Sequence, residues 1–243
     1  MMSLVLVSAG RHPVSLRPRL PPAEARALLL AGAAGPVTAL HAGPAEPGLA
    51  LLRACAGLGA TGVLLAIPEH TDPLPALLAW LATHPASLIL TGERAETGEG
   101  SGMLPYLLAE ALGCALVAHA VALHTQPQGL HVQQAQPGGR RRLMQAAMPA
   151  VLAVSPSAPP APPVALGPAL RATPLLQPAQ APADPAALWP QRPARRRPPH
   201  LAAAGLQGAP RAPSHSHALP PAAAAAAILD FLARCSLIPA GKG

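Results

Sequence analysis

Apolar and polar positions in the first hundred residues alternate in blocks. Leu4–Val7 (LVLV) is an unbroken apolar run, the pattern of a strand covered on both faces. PPAEARALLLAGAAG follows, with Pro22 at a helix start and Gly35 beyond its end. VTALH (Val37–His41) reads as a second strand and EPGLALLRACAGLG as a second helix. Gly62–Ile67 (GVLLAI) is a third strand. In TDPLPALLAWLATHP, Thr71 or Asp72 caps a helix whose first turn holds Pro73. SLILTG is a fourth strand and MLPYLLAEALG the helix after it. Strands and helices alternating at this spacing predict an α/β fold: a parallel, doubly wound sheet with helices on both faces. Ligands of such sheets gather beyond the carboxyl ends of the strands.

From Cys114 the rhythm changes. ALVAHAVAL, GLHVQQA, RRLMQAA and AVLAVS succeed one another across short turns and read as antiparallel strands extending the parallel sheet. Residues 155–221 carry 18 of the 34 prolines and little periodicity, which predicts an extended Pro-rich C-terminal arm. PAAAAAAILDFLARCSLI closes the chain as a helix with Ile228, Leu229, Leu232 and Leu237 as its docking face. The organisation expected is therefore an α/β domain over 1–154, an arm over 155–221 and a docking helix over 222–243.

Composition narrows the function classes. Aromatic residues are only 2% of the 243, so the core must be built from Leu, Val and Ala. The same shortage leaves little for base stacking, which argues against nucleic acid despite a net charge of +7. Cys55, Cys114 and Cys235 lie far apart and form no metal or disulfide framework. With no leader-like or bilayer-length apolar run, a cytoplasmic protein without membrane insertion is expected. The histidines show no metal-ligand spacing, and no nucleophile–base motif is readable.

One stretch remains chemically pointed. TGERAETGEGSG puts four glycines and three acids between the fourth strand and the next helix. It is not a P-loop, because Glu99 stands where the lysine belongs; nor is it a dinucleotide fingerprint, because Gly98, Gly100 and Gly102 are spaced G-x-G-x-G. Glycines let backbone N–H groups converge on an anion, and Ser101 is placed to cap the helix or to meet a phosphate. Glu93, Glu96 and Glu99 oppose a bare anion but suit ribose hydroxyls or base amines. The alternative is a solvated turn before a capped helix.

LILTGERAETGEGSGMLPYLLAEALG resembles the nucleotide-loop region of the electron transfer flavoprotein beta subunit family. GGRRRLMQAAMPAVLAVSP is similar to its second signature, a turn and strand leading into P-x-(V/I)-(V/L)-(T/A)-V at Pro149–Val154. AEPGLALLRACAGLGATGVLL is similar to the family's L-R-x-A-L-A-x-G-A segment, and ILDFLARCSLI resembles its closing helix. Together these cover most of residues 1–154 and the last helix, in the family's order.

The resemblance implies an adenine nucleotide alpha hydrolase-like fold and a heterodimer with an alpha subunit that carries most of a shared FAD. Many members hold AMP in the beta subunit. Carried over by position, Ser8, Ala42, Thr97, Gly98, Glu99, Gly100, Ser101 and Gly102 would line the nucleotide pocket. Leu166, in ALGP, would match the leucine with which the recognition loop anchors a dehydrogenase, and burying it is worth roughly 1.5–3 kcal/mol. Partners implied are acyl-CoA-type or other flavin dehydrogenases and a quinone reductase. Departures accompany the match. RLPPAE replaces the family's N-P-F-(D/C)-E turn, so its Asn and acid are read as missing; the loop is about two residues shorter; and Arg140–Arg142 replace acids before the P-x-V-V-T strand. The rival readings are a free-standing nucleotide-binding sensor or hydrolase of the same fold, and an interaction module built on the arm.

Overall fold

The computed structural model describes residues 2–69, 71–97, 100–126, 129–179 and 220–235. The chain divides into two units, Met1–Trp189 and Pro190–Gly243. In the first, strand β1 (Ser3–Leu6) leads into a small hairpin of β2 (Gly10–Arg11) and β3 (Pro18–Arg19). Then come α1 (Pro22–Gly32), β4 (Val37–Gly43), α2 (Ala45–Ala56), β5 (Thr61–Ala66), α3 (Pro73–Thr83), β6 (Leu88–Gly92) and α4 (Leu104–Leu112). Strands β7 (Ala115–Gln126), β8 (Gly129–Ala135), β9 (Arg141–Ala146) and β10 (Ala150–Val154) follow, then α5 (Leu166–Arg171) and β11 (Leu175–Pro178). The second unit contributes α6 (Pro221–Arg234), whose Ile228, Leu229 and Phe231 are exposed; Leu237 lies outside the described residues.

One sheet holds nine strands in the order β11-β5-β4-β1-β6-β10-β7-β8-β9. Every pairing from β11 to β7 is parallel, and β7–β8 and β8–β9 are antiparallel. Side chains that alternate along the strands feed two cores. Val5, Ala39, Leu64 and Leu90 pack with Ala27, Leu28 and Ala31 of α1 and Leu51, Leu52 and Cys55 of α2. Leu4, Leu40, Leu65 and Ile89 pack with Leu77, Trp80 and Leu81 of α3 and Leu108 of α4. Two helices therefore cover each face, and the doubly wound arrangement follows.

Two segments differ from the sequence expectation. AVLAVS, expected among the antiparallel strands, enters the middle of the sheet as β10, parallel to both β6 and β7. All five of its residues are buried, and a strand apolar on both sides is stable only where both faces are covered. Residues 155–179, expected in the extended arm, pack back on the domain. Arg26 Nε donates to the Ala158 carbonyl at 3.0 Å and Ala165 N–H to the Gly57 carbonyl at 3.0 Å. A side chain at Gly57 would collide with Val164, so glycine there admits this return. β11 then completes the sheet edge, fixed by Trp80 Nε1 donating to Gln177 Oε1 at 3.0 Å. The rest of the arm, with Arg195–Arg197, lies outside the described residues.

Candidate functional site

The carboxyl ends of β1, β4, β6 and β10 lie along one edge of the sheet, and the glycine–acid loop leaves β6 at that edge. Gly92 lets α1 approach: a Cβ there would lie 3.2 Å from Ala23 Cβ and 3.3 Å from Glu24 Cγ. The first turn of α1 is thus pressed against the loop's root, and Glu24 is buried beside Ser8. Ser8 N–H donates to Glu24 Oε2 at 2.7 Å and the Ser8 hydroxyl to Oε1 at 2.5 Å. Burial raises the Glu24 carboxyl from 4.5 to about 8, against the lowering effect of the two Ser8 hydrogen bonds, with the Glu96 charge adding to the rise. Glu24, the last residue of RLPPAE, thus supplies a buried acid at this edge. The legible signal was an acid in the first helical turn after a proline start.

Three of the loop's polar side chains are tied to the rest of the domain, whereas Arg94 is exposed. Arg19, at the base of the hairpin, grips Glu96 with both arms of its fork, Nη2 to Oε1 at 2.7 Å and Nε to Oε2 at 3.2 Å. Glu96 Oε2 lies only 2.5 Å from where a Cβ on Gly10 would be, so a glycine is required for this seat. Thr97 Oγ1 donates to the Ala9 carbonyl at 2.7 Å. Glu93 Oε1 meets His119 Nδ1 at 2.6 Å. His119 has a positive φ of 57° next to the register shift in β7 between Ala120 and Ala122. A bulge that turns one side chain towards the strand ends is a recurrent device near functional edges.

Of the expected pocket residues, Ser8, Thr97, Gly100, Ser101 and Gly102 gather around this loop, and Ala42 sits at the end of β4, half-buried. Gly98 and Glu99 lie outside the described residues. Gly100 and Gly102 have φ of 60° and 76°, the left-handed region that favours glycine. Ser101 Oγ accepts from Met103 N–H at 3.3 Å, just ahead of α4, whose N-cap Met103 has no side-chain cap. Beside Ala42, His41 is buried; its Nδ1–H donates to the Val7 carbonyl at 2.8 Å, and burial lowers its affinity for a proton. His41 Nε2 and Thr91 Oγ1 have no partner and are sealed from solvent. A ligand reaches neither without moving the side chains around them.

Among the described residues, most donors around the loop are already engaged within the protein, which does not fit the phosphate of an adenine nucleotide. The helix N-terminus behind the loop is nearly spent: Met103 N–H bonds Ser101, Pro105 has no N–H, and Tyr106 N–H bonds the Met103 carbonyl. The Ser8 and Thr97 hydroxyls and the Arg19 guanidinium are engaged within the protein. Glu93 and Glu96 add two carboxylates at the place where a dianion would need donors.

Leu166 opens α5 and is 69% exposed; Leu170, one turn on, is 72% exposed. The pair forms an apolar face that sequence reasoning found only in part. The buried Cys55 thiol has its pKa raised by its surroundings, as in an inert core residue. Among the described residues, no group of three or more His, Cys, Asp and Glu is placed to hold a metal, and no helix is long and apolar enough to cross a membrane.

In a doubly wound α/β domain, a loop cluster at the strand carboxyl ends occupies the edge where ligands of such sheets gather. Comparison with known proteins is more specific. The electron transfer flavoprotein domain family model matches residues 22–181. The electron transfer flavoprotein subunit beta of Chromohalobacter salexigens is 42% identical over 203 residues, which span 81% of this chain and 76% of that protein. The chain belongs to the electron transfer flavoprotein family.

Proposed function

We propose that this chain is the beta subunit of a heterodimeric electron transfer flavoprotein. The complex accepts electrons from flavin dehydrogenases, acyl-CoA-type enzymes among them, and delivers them towards a quinone reductase from the cytoplasm. FAD is carried mostly by the alpha subunit and supplies the redox chemistry; this chain contributes position and a docking surface. The observation that carries the reading is the family match across 22–181, reinforced by a relative of 42% identity over most of both chains. The exposed Leu166–Leu170 face of α5 supports the docking role, because two adjacent aliphatic side chains presented on a helix turn bury well against a partner's apolar socket.

A tagged chain purified from its native cells is expected to bring a flavin-carrying partner of similar size in equal amount; recovery as a single colourless protein would overturn the reading. In that complex, Leu166→Glu should leave flavin content unchanged. It should lower kcat/KM for reduction by the dehydrogenase roughly tenfold or more, the equivalent of the burial lost. An unchanged kcat/KM would remove Leu166 from the docking surface.

A further inference from the structure

We infer that Glu96 is a built-in anion: its carboxylate, clasped by Arg19 above Gly10, takes the place a nucleotide phosphate would hold, and this beta subunit folds its loop without AMP. Three independent contacts define the seat. The guanidinium meets Glu96 with both Nη2 and Nε, at 2.7 and 3.2 Å, the planar two-bond geometry by which arginine recognises phosphate as well as carboxylate. Gly10 supplies the missing Cβ that would otherwise strike Glu96 Oε2. Thr97, the next residue, is locked to the Ala9 carbonyl at 2.7 Å, so the backbone that presents Glu96 is anchored to the segment between β1 and β2.

The rest of the loop is arranged for the same outcome. Pro105 removes a donor from the start of α4, and Ser101 occupies another, so the helix terminus has little left to offer an external anion. Glu93 is matched by His119 rather than left to accept from a ribose. Glu24 lies close enough to Glu96 to feel its charge and stays neutral beside it; an added phosphate would crowd two more negative charges against the Glu96 carboxylate. A carboxylate on the loop has an entropic advantage over a dissociable ligand, because it arrives with the chain and loses no translational freedom on binding.

The inference rests on the family reading only for the identity of the ligand displaced. Its test uses the tagged chain purified with whatever partner it retains. Nucleotides are released by acid and quantified, and thermal unfolding is followed with and without AMP and with sodium acetate or inorganic phosphate. Expected for the native protein are no AMP and an unfolding midpoint indifferent to all three additives beyond a matched-ionic-strength control. Glu96→Ala frees Arg19 and should unfold at a lower temperature, with acetate, phosphate or AMP restoring part of the loss. Should Glu96→Ala fail to fold, Glu96→Gln keeps the shape without the charge and gives the same comparison. Stoichiometric AMP in the native protein overturns the inference, as does a Glu96 variant with native stability and no response to anions. Flavin is read from the same extract: flavin without AMP supports both readings, whereas neither cofactor defeats the heterodimer reading and leaves the result for Glu96 legible.

Discussion

Glu24 offers a sharp test of how the carboxyl edge is built. Its side chain is 4% exposed, and its carboxyl stays protonated in the folded protein up to about pH 8, against 4.5 for the free group. Below pH 4.5 both folded and unfolded chains carry the proton, and Glu24 has no effect on the balance. Between pH 4.5 and about 8 the unfolded chain releases it and the folded one keeps it, so stability falls as pH rises through that window. At roughly 1.4 kcal/mol per pH unit, the whole window amounts to about 5 kcal/mol, an order-of-magnitude figure set by desolvation of the carboxylate. Glutamine copies the neutral acid: its carbonyl accepts from Ser8 N–H and its amide donates to the Ser8 hydroxyl. Glu24→Gln should match the native protein near pH 5 and exceed it by several kcal/mol near pH 8. Urea unfolding followed by circular dichroism at a series of pH values measures this directly. Parallel stability curves for the two proteins across the window would refute the argument.

Two further outcomes follow from the geometry. Gly102→Ala puts a Cβ at a φ of 76° and 2.7 Å from the Glu93 carbonyl oxygen, so it should destabilise by roughly 1–3 kcal/mol; limited proteolysis should then cut the loop between Gly92 and Met103 sooner than in the native protein. Leu152→Ala, in the middle of β10 and fully buried, should lower stability by about 2–5 kcal/mol in denaturant titrations, whereas a loss under about 0.5 kcal/mol would contradict its central place.

Much of the fold was legible because central parallel strands are unbroken apolar runs. LVLV, VTALH, GVLLAI and SLILTG each became the strand expected, with a helix after each of them. AVLAV carries the same signature, and its placement in the middle of the sheet was available by that criterion. Its position in the chain, directly after a hairpin, instead suggested continuation of the antiparallel run, because order within a sheet is decided by long-range packing and not by local pattern. The β2–β3 hairpin escaped notice because its strands are two residues each and its exposed turn, with Val14 and Leu16 open to solvent, has no alternating pattern. At the site, the glycines announced a loop with special backbone, and Gly100 and Gly102 have the positive φ that requires them. What the acids do was not readable: Glu96 finds Arg19 from 77 positions away and Glu93 finds His119 from 26. Glu24 was overlooked because the turn before it differs from the family's.

The late arrival of β10 shapes how this protein must be made. Its neighbours β6 and β7 are finished by residue 126, yet the strand that joins them begins at Ala150. A ribosome-bound chain that has released residues 1–149 therefore presents two bare hydrogen-bonding edges, on β6 and β7, with the β8–β9 hairpin on the other side of β7. Such edges recruit foreign strands and invite aggregation, so the emergence of β10 is the step that closes the interior of the sheet, and β11 covers the β5 edge later still.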